Sequence, residues 1–487
     1  GGSPSSTGWV GKRSEHSMGK AQRLFNGSAT HTLYGRITPT PEQMDFLQEQ
    51  WNALATYLCE RLSGWGYPVS TLLQGSYRCG TLIKPLHTGE SYDVDVGVYF
   101  SWDTMSCQAS PTAKQLRAWV QSELLQYVDH AGEKVEVVDP PKERCSRAIY
   151  RQQFHIDTPT YHLDSASDQR RLACLSGKWE ESDPKPLHKW FRDVVDPEYR
   201  DQLRRLVRYL KAWAAIEFQD ETSARPSSVL LTVLAAEAFS EMWAERFWGV
   251  ADDTALGLVV GKLYQRLANS RKVPNPVDAQ EDLNRIPPEA WEAFLTRLAA
   301  LNDAAQLAES AEDEASAALA WEGAFQFLMP LPETDAVEIV DEASSRALMQ
   351  VPDVVVLVYD RPGGTLLATH RNEVQSVPKD HWLVFRIENP QLVPRFADIS
   401  WTVRNDQGEA DRVGDLGHVR RGIGMVTVEK RTAYLGKHSM DCVIRLHGSV
   451  FAVRRVPVFI EHGQRRAVAQ PQRAYLKLQS RKGRRRG

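Results

Sequence analysis

Asp93 and Asp95 stand two residues apart in the β-rich run Tyr92-Asp93-Val94-Asp95-Val96-Gly97-Val98-Tyr99-Phe100. Side chains two apart on a strand point to the same face, so this spacing predicts two carboxylates aimed one way. Hard oxygen ligands of that kind suit magnesium. Two divalent ions held close together can clamp both the attacking and the leaving oxygen of a phosphoryl transfer. Asp157, in Phe154-His155-Ile156-Asp157, is the candidate third carboxylate, contributed by a neighbouring strand. Asp93 and Asp95 are expected to bridge the metals, and Asp157 to hold the one that activates the acceptor hydroxyl. Gly75-Ser76 follows a predicted strand and opens a short predicted helix. A small residue there lets phosphate oxygens approach backbone N–H groups, and the Ser76 hydroxyl adds a donor. Singly these features are ordinary: most D-x-D pairs are solvated strand faces and most Gly-Ser pairs are turns. The combination is what points to phosphoryl transfer.

The elements that must position these residues can be read from pattern. Thr40, Pro41 and Gln43 form a capping-box start, and Leu47, Trp51, Leu54, Leu58 and Leu62 recur at helical spacing to about Ser63-Gly64. A strand follows over Val69 to Leu73, then Gly75-Ser76, then the Asp93/Asp95 strand. A helix is predicted from Ala113 to Val128, with strands over Lys134 to Val138 and Ala148 to Ile156. From about Pro186 to Ala300 the pattern is helical, with Leu203, Leu206, Leu210 and Trp213 on one buried face. The acidic, Ala-rich stretch from Asp303 to Ser316 reads as a solvated helix leading into Trp321, Phe325 and Phe327. Met329-Pro330-Leu331-Pro332 marks a boundary. Beyond it short β segments alternate with turns, the spacing of an all-β sandwich of immunoglobulin size.

Strand, Gly-Ser, short helix, D-x-D strand and a later strand with one more Asp is the layout of the polymerase-β-like nucleotidyltransferase fold. The chain resembles one branch of it, the cyclic GMP-AMP synthase-like enzymes of bacterial antiphage signalling (CD-NTases), relatives of oligoadenylate synthase. The resemblance rests on Gln74-Gly75-Ser76-Tyr77-Arg78 with Gly80-Thr81, on Tyr92 to Phe100, on Phe154 to Asp157, and on Trp179 to Lys185 with Trp190-Phe191. It spans about Leu33 to Phe327. It implies an α+β nucleotidyltransferase core with a helical lobe, and two magnesium ions, with manganese able to substitute. It also implies that Lys211, in Lys211-Ala212-Trp213, and a serine at the start of the next apolar helix contact the donor triphosphate. Ser227 or Ser228 fits that serine, Ser227 being preferred by its spacing to Thr232. Read without the family, Lys211 is a snorkelling surface lysine and Ser227 a plain N-cap. Arg78 and Lys84 are further candidates for phosphate. His155 and His162 are expected to be structural, and Cys79, with no activating partner in view, a packing residue.

Trp401-Thr402-Val403-Arg404-Asn405, Tyr434 to His438 and Asp441-Cys442 resemble the adenylyl/guanylyl-cyclase-and-SMODS C-terminal sensor domain. That implies an immunoglobulin-like β-sandwich serving regulation or sensing, with Trp401 in its core. The expected organisation is a leader or expression remnant over 1–17, a nucleotidyltransferase core over 18–195, a helical lobe over 196–332, a β-sandwich over 333–462 and a basic tail over 463–487.

Composition sets outer bounds. The 487 residues are 42% hydrophobic and 25% charged with a formal net charge of −3, an ordinary globular mix and not a nucleic-acid-coating one. Six scattered cysteines, with no C-x-x-C, argue against a zinc site or a disulfide framework and for a reducing cytoplasmic setting. No apolar run approaches the roughly 20 residues that span a bilayer, so no membrane contact is predicted. The expected activity is the joining of NTPs or dNTPs into a cyclic or linear oligonucleotide second messenger, with release of pyrophosphate. The resemblance implies a separately encoded effector that binds the product and a regulator at the C-terminal domain. The basic tail offers a surface for nucleic acid. Two alternatives stand: nucleotidylation of a macromolecule such as tRNA or protein, and a non-catalytic sensor or scaffold.

Overall fold

The computed structural model describes residues 19–29, 31–105, 110–151, 153–331, 352–405, 408–447 and 449–462. The expected leader (1–17) and basic tail (463–487) lie outside these residues.

The capping box forms as predicted: Thr40 N donates to Gln43 Oε1 (2.8 Å) and Gln43 N to Thr40 Oγ1 (3.2 Å), opening the helix Pro41–Ser63. The chain then builds a seven-stranded sheet. Its strands are β1 (Val69–Gln74), β2 (Tyr92–Trp102), β3 (Val135–Val138), β4 (Cys145–Tyr150), β5 (Phe154–Asp164), β6 (Arg170–Ala173) and β7 (Trp179–Glu181). The order is β1-β2-β5-β4-β3, with β6 on β5 and β7 on β6. β2 and β5 run parallel and the other pairs are antiparallel. Val94, Val96, Val98, Phe100 and Ile156 pack against Leu47, Leu54, Leu58, Leu116, Val120 and Leu124 of the helices Pro41–Ser63 and Ala113–Ala131. Strand alternation therefore aims Asp93 and Asp95 away from these helices.

The single strand expected over Ala148 to Ile156 is a hairpin instead. β4 ends at Tyr150 and β5 begins at Phe154. Gln153 makes the reversal at φ +59°, and its carbonyl accepts from Tyr92 N (2.9 Å). The sequence between Tyr150 and Phe154 carries no glycine, proline or asparagine to announce a turn.

The helical body is built on Arg200–Glu217, Ser228–Ser240, Asp252–Asn269, Trp291–Ser310 and Glu314–Phe325. The helix expected to run through Asp303 to Ser316 is broken: Asp313 caps a new one, accepting from Ser316 N at 2.7 Å. Between Asn269 and Trp291 lies a small hairpin, β8 (Pro274–Asn275) with β9 (Asp278–Asp282). The body's core also takes in Leu24, Phe25, Leu33 and Ile37 from the chain's first helices and Phe191 and Val195 from the segment after the sheet. Phe25 meets Tyr209, Trp321 and Phe325 edge to face.

The C-terminal unit has nine strands among the described residues, in two sheets. One is β11 (Leu366–Arg371), β10 (Val354–Tyr359), β13 (Trp382–Ile387) and β16 (Thr427–Arg431). The other is β12 (Val374–Pro378), β18 (Ser449–Glu461), β17 (Gly436–Leu446), β14 (Asp398–Arg404) and β15 (Gly417–Ile423). Both contribute to one core around Trp401, which is fully buried and donates its indole N–H to Met425 O (2.7 Å).

This unit is fastened to the helical body by buried charge. Glu322 receives Arg445 Nη2 at 2.6 Å and Thr402 Oγ1 at 3.1 Å, with both ionic side chains under 10% accessible. Asp441, wholly buried, is shared by Arg404 (2.7 Å) and Arg455 (2.9 Å). Val443, Val453 and Leu416 complete the helical body's core from the C-terminal side. Removing one partner of a buried pair strands the other charge. Arg445→Ala is expected to cost roughly 3–5 kcal/mol, read as a lower denaturation midpoint. A loss under about 1 kcal/mol, the range of exposed pairs, would contradict this assignment.

Candidate active site

Register does the first part of the work. β1 places Gln74 opposite Asp95, and the parallel β2–β5 pairing places Asp93 opposite His155 and Asp95 opposite Asp157. The three carboxylates thus share one face of the sheet. At the end of β1 the chain turns through Gly75 at φ +61° into the short helix Gly75–Cys79, and leaves it through Gly80 at φ +68°. A Cβ on Gly75 would stand 2.0 Å from Asp95 Oδ2, so only glycine lets the loop lie against that carboxylate. Behind the loop, Gln74 Nε2 donates to Tyr99 Oη (2.8 Å) and Gln74 Oε1 accepts from Tyr161 Oη (3.2 Å). The two tyrosine rings stack at 4.7 Å.

Each carboxylate has its own surroundings. Asp157 is buried and receives Arg147 Nε at 2.6 Å and Nη2 at 2.8 Å, with the Cys145 thiol 3.4 Å away. Burial and then the Asp157 charge push that thiol up to about 12. Asp93 opens to the cleft, its side chain 54% accessible. His155 Nε2 lies 3.0 Å from Asp93 Oδ1, off the axis of an aligned hydrogen bond, while Nδ1 is 2.6 Å from Ser91 Oγ. Desolvation opposes the Asp93 charge. His155, then Arg147 and Lys211, outweigh it and hold the carboxyl below its ordinary range. Asp95 goes the other way: burial first, then the charges of Asp93 and Asp157, raise it to about 7. Lys211 is buried, donates Nζ to Thr81 O (2.9 Å), and is lowered to about 8, chiefly by burial.

Two compartments open from this face. The larger, ≈ 500 Å³, is lined by Gly75, Ser76, Arg78 and Asp95 on the sheet side and by Lys185 and Trp190 across from them. The smaller, ≈ 320 Å³, lies on the His155 side and is lined by Lys84, Ser91 and Tyr92. Ser76, Asp93, Lys211 and Ser228 line both.

The structure separates the two candidate serines. Ser227 Oγ accepts from Leu230 N (3.3 Å) as the N-cap of Ser228–Ser240, whereas Ser228 is exposed to both compartments. Ser227 lines neither compartment, and its Oγ is turned toward its own helix as the cap, so Ser228 is the better placed of the two for a donor phosphate. Arg78 lines the larger compartment, while Lys84 is paired with Asp411 of the C-terminal unit rather than held for phosphate. His162 is buried on Trp102, its Nε2 3.1 Å from Trp102 O. Cys79 does have a neighbour, His188 Nδ1 at 3.5 Å, but burial raises the thiol and leaves it a poor nucleophile. Arg147 and Ser91 escaped the sequence reading, and Gln74 was read only as part of the loop motif. Only strand register reveals that Arg147 stands opposite Asp157.

The Asp95 shift has a measurable sign. Its carboxyl is raised in the folded chain to about 7 and is ordinary, about 3.9, when unfolded. The stability contributed by the extra bound proton is complete below about pH 4 and is lost as pH rises through 7. Asparagine keeps the shape without the charge. In EDTA, Asp95→Asn is expected to melt about 2–4 °C above the wild type at pH 8 and level with it at pH 4. Equal offsets at the two pH values would overturn the assignment.

Comparison with known proteins bears on the same face. Residues 69–161 match the model of the cyclic GMP-AMP synthase DncV-like nucleotidyltransferase domain, and residues 353–461 that of the adenylyl/guanylyl and SMODS C-terminal sensor domain. A cyclic GMP-AMP synthase of Escherichia albertii is 26% identical over 414 residues, 84% of this chain and 89% of the relative. A c-di-GMP synthase of Roseivirga ehrenbergii is 24% identical over 320 residues, 56% of this chain and 78% of the relative. The fold is similar to the crystal structure of Vibrio cholerae DncV cyclic AMP-GMP synthase (TM-score 0.53, 19% identity, 64% of this chain and 97% of that one). It is equally similar to that enzyme in complex with the linear intermediate 5′ pppA(3′,5′)pG (TM-score 0.53, 18% identity, 64% and 96%). The matched stretch includes β1, which leads into Gly75, and β2 and β5, which carry the three aspartates; the chain is a nucleotidyltransferase similar over residues 69–161 to the cyclic GMP-AMP synthase DncV-like domain and over residues 353–461 to the adenylyl/guanylyl and SMODS C-terminal sensor domain.

Proposed function

We propose that this nucleotidyltransferase joins nucleoside triphosphates, or their deoxy forms, into a cyclic or linear oligonucleotide with release of pyrophosphate. The observation that carries this reading is the pair of compartments meeting at Asp93, with Ser76, Lys211 and Ser228 common to both. One nucleotide fits the larger compartment as donor. A second enters the smaller one as acceptor, with its hydroxyl directed at the donor's α-phosphorus. The curated relatives named as cyclic GMP-AMP and c-di-GMP synthases support a nucleotide acceptor.

Each residue then has a task. Backbone amides after Gly75 and the Ser76 hydroxyl meet the donor's phosphate oxygens. Lys211 and Ser228 meet the triphosphate from the helical side, and Gly75 keeps the loop close to Asp95. Lys211 is lowered to about 8, so below that pH it is a buried cation with the donor phosphates in reach. The donor set fits divalent magnesium, with manganese able to substitute. Asp93, Asp95 and Asp157 are hard oxygen ligands on one face, and Asp95 is raised first by burial and then by the Asp93 and Asp157 charges beside it. Arg147 occupies one direction on each Asp157 oxygen and the Cys145 thiol a second on Oδ2, so Oδ1 is the oxygen with a direction to offer. Such ions, when bound, supply charge neutralisation and a more acidic acceptor hydroxyl. His155, braced by Ser91, keeps Asp93 ionised and aimed into the cleft.

The wider setting follows from the resemblance: a cytoplasmic enzyme of antiphage defence whose product acts on a separately encoded effector, and whose C-terminal domain, immunoglobulin-like in its two sheets around one core, receives the regulating cue. Among the described residues no helix is long and apolar enough to cross a membrane.

The test is incubation of the full chain and an Asp93→Asn/Asp95→Asn control with magnesium or manganese and each α-labelled NTP and dNTP, followed by phosphatase. A phosphatase-resistant small product, absent from the control, is expected. Label on added tRNA or protein, with no small product, would shift the assignment to a macromolecular acceptor. Within the active chain, Ser228→Ala should raise the KM for donor about 10–100-fold, the loss of one hydrogen bond to a charged group. Ser227→Ala should lower stability by about 1 kcal/mol with KM unchanged.

A further inference from the structure

The sensor domain meets Lys84, a lining residue of the smaller compartment, through a charged side chain. The helical turn Glu409–Arg412 carries Asp411 into a niche formed by Lys84, Gln43 and Tyr92. Lys84 Nζ lies 3.1 Å and 3.3 Å from the two Asp411 oxygens, and Gln43 Nε2 lies 3.5 Å from Oδ2. The Lys84 side chain is 2% accessible and that of Asp411 14%. Two further contacts flank the pair. Arg36 Nη2 donates to Leu416 O (3.0 Å), and Gly414, at φ +68°, passes so near His87 O that a Cβ would stand 3.2 Å from it.

Lys84 sits in the chain segment from Leu82 to Tyr92. This segment walls the smaller compartment and contributes nothing to the larger one. Up to Ser91 it contains no strand or helix, so its shape depends on tethers. Arg208 Nε holds Leu82 O (3.0 Å), Glu90 accepts from the amides of Leu86 and His87 (3.0 and 3.2 Å), and Ser91 meets His155. All of these lie within the nucleotidyltransferase. Lys84–Asp411 is the ion pair among the described residues that ties the segment to the sensor domain. Withdrawing Asp411 leaves a buried ammonium without its counter-charge, which the segment can relieve only by moving Lys84 toward water.

We propose that Lys84 and Asp411 are positioning residues that hold the 82–92 segment as the acceptor wall, so that the seating of the sensor domain sets affinity for the acceptor nucleotide and leaves the donor site unaltered. This rests on the two-compartment reading above. A cue that lifts the Glu409–Arg412 turn loosens the acceptor wall, and one that seats it completes the wall. Enzyme output follows through acceptor KM.

The test uses the full chain and the variants Asp411→Asn, Lys84→Met, Asp411→Glu and the double Lys84→Met/Asp411→Leu. A 2′,3′-dideoxy NTP can donate but not accept, and an α,β-methylene NTP can accept but not donate, so the two KM values separate. Asp411→Asn and Lys84→Met are expected to raise acceptor KM about tenfold, with donor KM and kcat within about twofold. Asp411→Glu, which keeps the charge, and the double variant, which leaves no orphan charge, should recover most of the loss. Equal changes in both KM values, or none, would overturn the proposal. Hydrogen exchange of residues 82–92 is read on the same proteins without nucleotide. It should quicken in the two neutralising single variants and recover in the double. Unchanged exchange sinks the strut whether or not the chain turns over. Absence of product from the wild type, with exchange behaving as expected, would instead count against the two-nucleotide reading.

Discussion

Like charges repel, and the nucleotidyltransferase half is arranged around three carboxylates held on one sheet face. Two unit charges about 4 Å apart cost about 4 kcal/mol at an effective dielectric of about 20. The parallel pairing of β2 with β5 enforces this proximity, because Asp95 cannot leave Asp157 without breaking the ladder. The surroundings offset the repulsion unequally. Arg147 grips Asp157, His155 faces Asp93, and Asp95 is left with a raised carboxyl. The residue with least protein counter-charge is the one against which Gly75 brings the loop. The site is therefore balanced only when further positive charge joins it.

The same logic of buried charge governs the join between the two halves. Glu322, Arg445, Arg404, Asp441 and Arg455 form a chain of ion pairs between the helical body and the C-terminal sheets. Buried pairs add little to stability compared with apolar packing but penalise misplacement strongly. They suit an interface that must have one register, and the apolar residues Leu416, Val443 and Val453 supply the burial beside them.

Much of this arrangement was legible in the sequence. The D-x-D strand, the Gly-Ser turn, the capping box at Thr40 and the buried stripe of Leu203, Leu206, Leu210 and Trp213 are local patterns, set by periods of two and 3.6 residues. What escaped depends on non-local pairing. Arg147 becomes a partner of Asp157 only once the hairpin after Tyr150 is known, and Arg151-Gln152-Gln153 carries no turn chemistry. Lys84 read as a phosphate ligand because it follows the Gly-Ser loop. Its actual partner is 327 positions away. Ser227 and Ser228 are neighbours whose roles differ by one step of helical rotation, which spacing to Thr232 does not resolve. In the C-terminal unit β11 and β15 carry little sequence signal, since Leu366–Arg371 and Gly417–Ile423 are largely exposed and lack the apolar alternation of their neighbours.

The core of the helical body gathers Leu24 near one end of the described chain, Leu256 from its middle and Val453 near the other end. Ala21 N is bonded to Asp253 across 232 positions. A core assembled from such distant parts cannot close while the chain is still emerging from the ribosome. The first helices must wait for the middle, and the body then waits for β18 before its last apolar face is covered. Order of synthesis and order of completion are thus decoupled. The C-terminal unit is thus part of the enzyme's own interior, and the helical body is fully packed only in a chain in which β17 and β18 are already in place.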